Sequence, residues 1–268
     1  YIKAGQEQMW DIATKRFLTP EDGWTKLMVW GMGIASRDIT GDGRDEIVLT
    51  SMGDQLMQLA QKDGSYTAAP FAIGTYAHRP HTGEDGRPST GWHAQFGDID
   101  NDGRDDLFLA KGNVDQMPGM AMADPNNLLM QNADGTFTEA ASEAGIATTE
   151  RSRGASLADF DGDGRLDLLV SNRRAPIELY RNVTPDAGHW IALDLRMDGP
   201  NTQAVGARVT VNGQAQQLTV GGGHASGQAG PLHFGLGDAA QAQVRVTWPD
   251  GRVSEVVLPA DTRQVLRP

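Results

Sequence analysis

The sequence predicts an all-β protein, built as a partial β-propeller of three blades followed by a C-terminal β-sandwich or barrel-like domain. An acidic, glycine-containing segment occurs three times, with first residues 60 and 61 positions apart, and each copy runs directly into a short apolar segment. A period near 60 residues fits one small antiparallel sheet per repeat better than a helical repeat. After the third copy, apolar and polar residues alternate with period two, which indicates half-buried antiparallel strands.

The N-terminal segment is predicted to be partly helical. Met9, Ala13 and Phe17 recur at four-residue spacing between Gln6 and Leu18, which is typical of one helix face. The predicted parts of the chain are therefore residues 1–30 (partly helical segment), 31–183 (three propeller-type repeats) and 188–268 (β-domain).

The composition fits a globular protein and excludes several functional classes. The 268 residues are 39% hydrophobic and include no Cys, which excludes disulfide scaffolds, cysteine-ligated zinc and thiol catalysis. No apolar run approaches the roughly 18 to 20 residues of a membrane-spanning helix, so no transmembrane segment is expected. The formal net charge of −12 would repel a polyanion, so nucleic acid is not expected as a partner.

Each repeated acidic segment has the pattern of a short loop that encloses a hard divalent cation. Oxygen ligands on alternate residues point toward one centre, and a Gly at the sixth position allows the sharp bend. The predicted ligands are the side chains at positions one, three, five and nine and the main-chain carbonyl at position seven. Loop by loop they are Asp38, Thr40, Asp42, Arg44 and Glu46; Asp98, Asp100, Asp102, Arg104 and Asp106; and Asp159, Asp161, Asp163, Arg165 and Asp167.

The all-oxygen ligand set favours Ca²⁺, and about three ions are predicted. Mg²⁺ prefers fewer carboxylates with retained waters, and zinc prefers nitrogen or sulfur ligands. A helix–loop–helix calcium site would need Glu at loop position twelve, where this chain has Leu49, Leu109 and Val170. Thr40 replaces a carboxylate, so the first loop is expected to bind more weakly. Carboxylates that hold a cation are poor proton carriers, so these loops predict no enzyme.

These loops resemble the FG-GAP (VCBS) repeat, the calcium-loop blade found in integrin α-subunit propellers and in many exported bacterial proteins. The C-terminal part resembles the ASPIC/UnbV domain of cartilage-acidic-protein-like proteins through residues 201–209, 221–227, 232–237 and 244–251. The resemblance implies an extracellular or periplasmic protein with a calcium-dependent propeller. It also implies a noncatalytic binding or scaffold role toward a protein or glycan partner.

Three visible blades are fewer than the roughly four to eight of closed propellers. An arc of three exposes sheet edges or faces, which proteins normally cover. We therefore expect missing blades or another protein chain to complete the ring.

Two further segments support other hypotheses. Residues 74–91 are rich in Gly, Pro and charge; they contain His78 and His81, and His93 follows them. A ligand site, a solvated insertion and a subunit contact all remain open for this segment. Residues 117–122 contain three Met, which suit either Cu(I) or an adaptable apolar interface. An alternative function uses both segments: an accessory subunit, peripherally associated with a membrane-bound enzyme or electron-transfer complex. A hydrolase that uses the histidines has no identified nucleophile.

Overall fold

The computed structural model describes residues 8–24, 29–53, 55–76, 89–113, 123–224 and 227–268. Within these ranges the strands form one two-stranded hairpin and five sheets of three or four strands each. Two short 3-10 helices, Pro20–Asp22 and Phe71–Ile73, are the helical elements of the described residues. The prediction of an all-β protein with a propeller-type arrangement is confirmed, and no helix in the described ranges is long and apolar enough to cross a bilayer.

The prediction of a helix between Gln6 and Leu18 is wrong for residues 8–18, the part of this segment that the structure describes. Strand β1 (Trp10–Asp11) pairs there with β2 (Arg16–Phe17) in an antiparallel hairpin. The side chain of Asp11 accepts a hydrogen bond from the main-chain N–H of Ala13 at 2.9 Å. Because the Asp side chain binds nearby main-chain N–H groups in this way, it favours a turn over a helix interior. The four-residue spacing of apolar residues, on which the helix prediction rested, takes no account of such side-chain hydrogen bonds.

The three repeats form three antiparallel sheets in which strands that follow each other in sequence are neighbours in space. The first sheet contains β3 (Ile34–Arg37), β4 (Glu46–Leu49), β5 (Leu56–Ala60) and β6 (Tyr66–Ala68). The second contains β7 (Gly91–Gly97), β8 (Asp106–Lys111), β9 (Asn127–Gln131) and β10 (Phe137–Glu139). The third contains β11 (Ser152–Ala158), β12 (Asp167–Asn172) and β13 (Glu178–Tyr180). In each sheet the acidic loop joins the first two strands.

Strand β8 packs the second sheet against both of its neighbours. Leu107 and Leu109 are fully buried in an apolar cluster that includes Val48 of the first sheet. Phe108 and Ala110 are fully buried in another cluster, which includes side chains of the third sheet. Because successive side chains of a strand point to opposite faces, this continuous apolar run serves two cores.

Residues after the third sheet form two sheets with a different strand order. The first of them contains β14 (His189–Leu195), β17 (Leu232–Gly237) and β20 (Thr262–Leu266), with β14 in the middle and parallel to β20. The second contains, in spatial order, β16 (Gln214–Gln217), β15 (Arg208–Val211), β18 (Gln241–Thr247) and β19 (Val253–Pro259). We call these two sheets the C-terminal sheets. They enclose one apolar core around Ile191, Phe234 and Trp248.

The histidine-containing and methionine-containing segments lie mostly outside the described residues, which exclude 77–88 and 114–122. The hypotheses on His78, His81 and the three methionines therefore stay predictions. His93 is an exception, because it lies in β7 rather than in a loop and is 1% exposed. Burial lowers its pKa, which favours the neutral imidazole, and its surroundings are those of a core residue.

Candidate metal centre

The three acidic loops share one main-chain conformation, held by the aspartate at position one. Its carboxylate accepts hydrogen bonds from the N–H groups of positions five and six: in the second loop, Asp98 accepts from Asp102 at 3.0 Å and from Gly103 at 2.8 Å. Asp38 and Asp159 make the same pair of bonds in their loops. The Gly at position six has a positive φ in all three loops, a conformation that a side chain would strain.

The acidic residue at position nine fixes each loop to its own sheet. Asp106 accepts hydrogen bonds from the main-chain N–H of Ile99 at 2.9 Å and of Gln131 at 2.8 Å. Asp167 and Glu46 make the corresponding pairs of contacts. The carboxylates at positions one and nine are therefore held in place by main-chain donors.

The second and third loops each bring three carboxylates together. Within each cluster, one oxygen from every residue lies within 4.8 Å of the others: Asp98, Asp100 and Asp106 in one, and Asp159, Asp161 and Asp167 in the other. Convergent carboxylate oxygens are the ligands that Ca²⁺ takes in proteins, so these residues fit a hard divalent cation. In the first loop the position-three residue is Thr40, and among the described residues no cluster of three carboxylates forms there.

The aspartates at position five lie outside these clusters and pair with the arginines at position seven. Asp42 contacts Arg44 at 2.6 Å, and Asp163 contacts Arg165 at 2.6 Å. Asp102 and Arg104 make the equivalent ion pair in the second loop. The predicted ligand role of these aspartates, and of the arginine carbonyls, stays a prediction. The repeated ion pair was not expected from the sequence.

The second loop is the most deeply buried of the three. Asp98 and Asp106 are each 2% exposed. Burial, together with the neighbouring Asp105 carboxylate, raises the pKa of Asp98 to about 9, and burial raises that of Asp106 to about 8. In the first loop, burial raises the pKa of Glu46 to about 7. Because ionised carboxylates in a low dielectric are stable only when paired or coordinated, this cluster is suited to a cation.

These pKa shifts predict how the cation-free protein responds to pH. The pKa values of Asp98 and Asp106 are raised in the folded state, so between about pH 4 and pH 9 the folded protein binds more protons than the unfolded chain. Its stability therefore falls as the pH rises. We expect the melting temperature in EGTA to decrease from pH 5 to pH 8, and saturating calcium to remove most of that decrease. A rise over this range in EGTA would contradict the assignment.

Two amide side chains that sequence reasoning missed join neighbouring repeats. Gln131 donates a hydrogen bond through Nε2 to the carbonyl of Ile39 in the first loop, at 3.1 Å. Asn182 donates through Nδ2 to the carbonyl of Ile99 in the second loop, at 2.8 Å. Both residues also give their main-chain N–H to the position-nine carboxylate of their own repeat. In the first repeat, the residue at the equivalent position is Ala60. The sequence feature that could have revealed these contacts is the amide side chain at this position in the second and third repeats.

Replacing Gln131 with Ala tests this contact. Loss of one buried hydrogen bond costs about 1 kcal/mol, so we expect Gln131→Ala to lower the melting temperature by roughly 2 to 4 °C. The matched control is Gln217→Ala, because Gln217 is exposed and makes one long contact of 3.4 Å; it should change stability by less than about 0.5 kcal/mol. Equal effects of the two substitutions in thermal melts would remove the proposed role of Gln131.

Two sequence families match this chain. A model described as FG-GAP-like repeat matches residues 38–109 and 112–170. A model described as ASPIC and UnbV matches residues 197–267. The chain carries FG-GAP-like repeats and an ASPIC and UnbV domain. The three acidic loops lie in the FG-GAP-like part, and strands β15 to β20 lie in the ASPIC and UnbV part.

Part of this chain is also similar to curated proteins. The chain is 33% identical to cartilage acidic protein 1 of Mus musculus and to that of Homo sapiens over 129 residues, which is 43% of this chain and 19% of each relative. It is 30% identical to cartilage acidic protein 1 of Xenopus tropicalis over 115 residues, which is 38% of this chain and 17% of that protein. The chain therefore spans about a fifth of the length of these relatives.

Proposed function

We propose that this protein is an exported, calcium-binding, noncatalytic binding or scaffold module that engages a protein or glycan partner. The observation that carries the proposal is the convergence of Asp98, Asp100 and Asp106 in one loop, repeated by Asp159, Asp161 and Asp167 in the next. Calcium is the favoured ion because every ligand is oxygen. Two ions are held by three carboxylates each, and the first loop provides a weaker third site.

We propose further that residues 31–183 form three propeller blades and residues 188–268 a separate β-domain. The strand order supports this division. In the first three sheets, strands that are consecutive in sequence are neighbours in the sheet. The C-terminal sheets instead contain a parallel pair of strands and neighbouring strands that are not consecutive in sequence. Each part also has its own apolar clusters, since the core around Trp248 contains residues from 191 onward only.

An extracellular or periplasmic location is consistent with the ligand set. Calcium modules outside the cell bind with Kd values of about 0.1 to 1 mM, so millimolar calcium fills them and stabilises the fold by mass action. A noncatalytic role follows from the same chemistry, because carboxylates that hold a cation are kept ionised and do not transfer protons.

The third sheet offers a surface for a partner or for further blades. Its outer strand β13 contains Leu179, which is 63% exposed, and Ile177 precedes that strand at 66% exposed. Phe160, in the third loop, is 51% exposed. Large apolar side chains that are left uncovered beside a free strand edge are typical of interaction surfaces. The alternative, an accessory subunit that docks through residues 78–93 and 117–122, remains a prediction on residues mostly outside those described.

Calcium titration of the chelator-treated chain by isothermal calorimetry tests the proposal. We expect two ions to bind most tightly, and Asp100→Ala and Asp161→Ala each to remove one of them. The matched control is Asp134→Ala, because Asp134 lies in an exposed turn and accepts hydrogen bonds from Thr136 only. Absence of binding up to several millimolar calcium would overturn the proposal.

A further inference from the structure

The second acidic loop lies directly against the C-terminal sheets. The main-chain N–H of Gly188 donates to the carbonyl of Asp100 at 2.9 Å, and that of Gly237 donates to the carbonyl of Asn101 at 2.8 Å. The side chain of Asn101 also meets that of His233, with Oδ1 and Nε2 2.8 Å apart. Loop positions three and four are therefore bound by residues more than eighty positions later in the chain.

Glycines permit this approach. A Cβ atom added at Gly235 in β17 would lie 2.0 Å from Oδ2 of Asp98 and 2.5 Å from Cα of Asn101. A Cβ added at Gly188 would lie 2.3 Å from the carbonyl oxygen of Asn101. Non-bonded atoms do not approach this closely. Strand β17 therefore crosses the loop at a position where it has no side chain, with its main chain directly against Asp98 and Asn101. This covering explains why Asp98 is buried.

The first and third loops also contact the C-terminal sheets. Gly164 of the third loop faces Trp190 of β14, since an added Cβ would lie 1.9 Å from the indole nitrogen. In the first loop, Arg208 of β15 donates to the carbonyl of Gly43 at 2.8 Å and approaches Asp45 at 3.5 Å. The C-terminal sheets thus rest on all three loops.

Docking of the C-terminal sheets on the second loop is energetically unfavourable when the loop holds no cation. Strand β17 covers the carboxylate of Asp98 in the cluster of this loop, and buried charges cost free energy unless they are paired or coordinate a metal. A divalent cation would balance that charge in the docked state. A ligand that favours one of two states shifts the equilibrium toward it, and the linkage is reciprocal.

We propose that cation binding in the second loop is coupled to docking of the C-terminal sheets, so that the cation-loaded loop is their docking surface. The inference rests on the calcium binding proposed above. Calcium favours the docked arrangement, and the docked sheets in turn raise the affinity of the second loop for calcium. Strand β17 supplies this effect without contributing a ligand.

Hydrogen exchange of the full chain, with calcium chloride and with EGTA, tests the first half of the coupling. Calcium should protect the peptide covering residues 98–106, which reports binding itself. It should also protect peptides covering 188–195 and 232–237, which contain the Gly188 and Gly237 donors. Protection of 98–106 without protection of the other two would overturn the coupling and leave calcium binding standing. No response at 98–106 would instead overturn the proposed function.

Gly235→Ala tests the reciprocal half, because its added methyl group would overlap the main chain of Asn101 and the Asp98 carboxylate, so β17 cannot dock as closely, while every ligand residue is kept. We expect the calcium concentration that half-protects residues 98–106 to rise by about 5- to 150-fold. The control is Gly221→Ala, since a Cβ at Gly221 meets no atom within 4 Å; it should leave that concentration unchanged. An unchanged value in Gly235→Ala would contradict the coupling.

A second variant keeps the test valid if Gly235→Ala disrupts the C-terminal core. Protection of β15 and β18 reports whether that core is intact. His233→Ala removes the contact with Asn101 from the same strand without adding an atom, and it should weaken calcium binding at residues 98–106 in the same direction. Unchanged affinity in His233→Ala, with β15 and β18 still protected, would also overturn the coupling.

Discussion

Chelation of calcium from the full chain is expected to lower its melting temperature by roughly 10 to 20 °C. A site with a Kd of about 0.1 mM, in calcium at about 100 times that Kd (about 10 mM), stabilises the folded state by about 2.7 kcal/mol, so two such sites contribute about 5 kcal/mol. For a chain of this size each kcal/mol shifts the melting temperature by about 2 to 4 °C. Scanning calorimetry with calcium chloride and with EGTA measures the difference directly.

Refilling with different ions is the control for that experiment. Calcium should restore the original melting temperature. An equal concentration of magnesium should restore less, because Mg²⁺ gives up its waters reluctantly and seldom accepts a site built of several carboxylates. The same melting temperature in calcium and in EGTA would show that the acidic loops do not stabilise this fold through a bound cation.

Asp106→Ala is expected to be among the most destabilising single substitutions, at about 5 to 9 kcal/mol in calcium. It leaves the buried main-chain N–H groups of Ile99 and Gln131 without their acceptor, at about 1 to 3 kcal/mol each. It also removes a carboxylate from the second cluster, which forfeits about 2.7 kcal/mol of cation binding at saturation. Urea unfolding followed by tryptophan fluorescence gives the free energy.

The same variant in EGTA separates the two contributions. Only the hydrogen-bond part, about 2 to 6 kcal/mol, should remain when no cation is present. The matched substitution Asp134→Ala lies in an exposed turn and should cost less than about 1 kcal/mol in either buffer. If Asp106→Ala cost no more than this control, position nine would not be the anchor of the loop.

Local chemistry made much of this fold predictable from the sequence. The repeated Asp and Gly positions specify a tight turn whose conformation depends on a few adjacent residues, so the loops and the strands that follow them were correctly expected. The period-two alternation of residues such as Val244 and Val246 likewise indicated half-buried strands, and β18 has that pattern of burial.

The predictions that failed, and the contacts that were missed, depend on competition or distance. Residues 10–17 form a hairpin where a helix was predicted, because the Asp11 side chain accepts a hydrogen bond from the main chain of its own turn. The ion pair between loop positions five and seven, as between Asp102 and Arg104, was not expected from the sequence. The contact between β17 and the second loop joins residues more than 130 positions apart in the sequence. No local sequence pattern indicates which distant glycine will lie against Asp98.

Native mass spectrometry of the full chain counts the calcium ions on each folded molecule. In calcium-containing volatile buffer we expect at least two calcium ions per chain, and one fewer in Asp100→Ala and in Asp161→Ala. A folded chain that carries no calcium, or variants that carry as many ions as the parent, would overturn the proposed calcium binding.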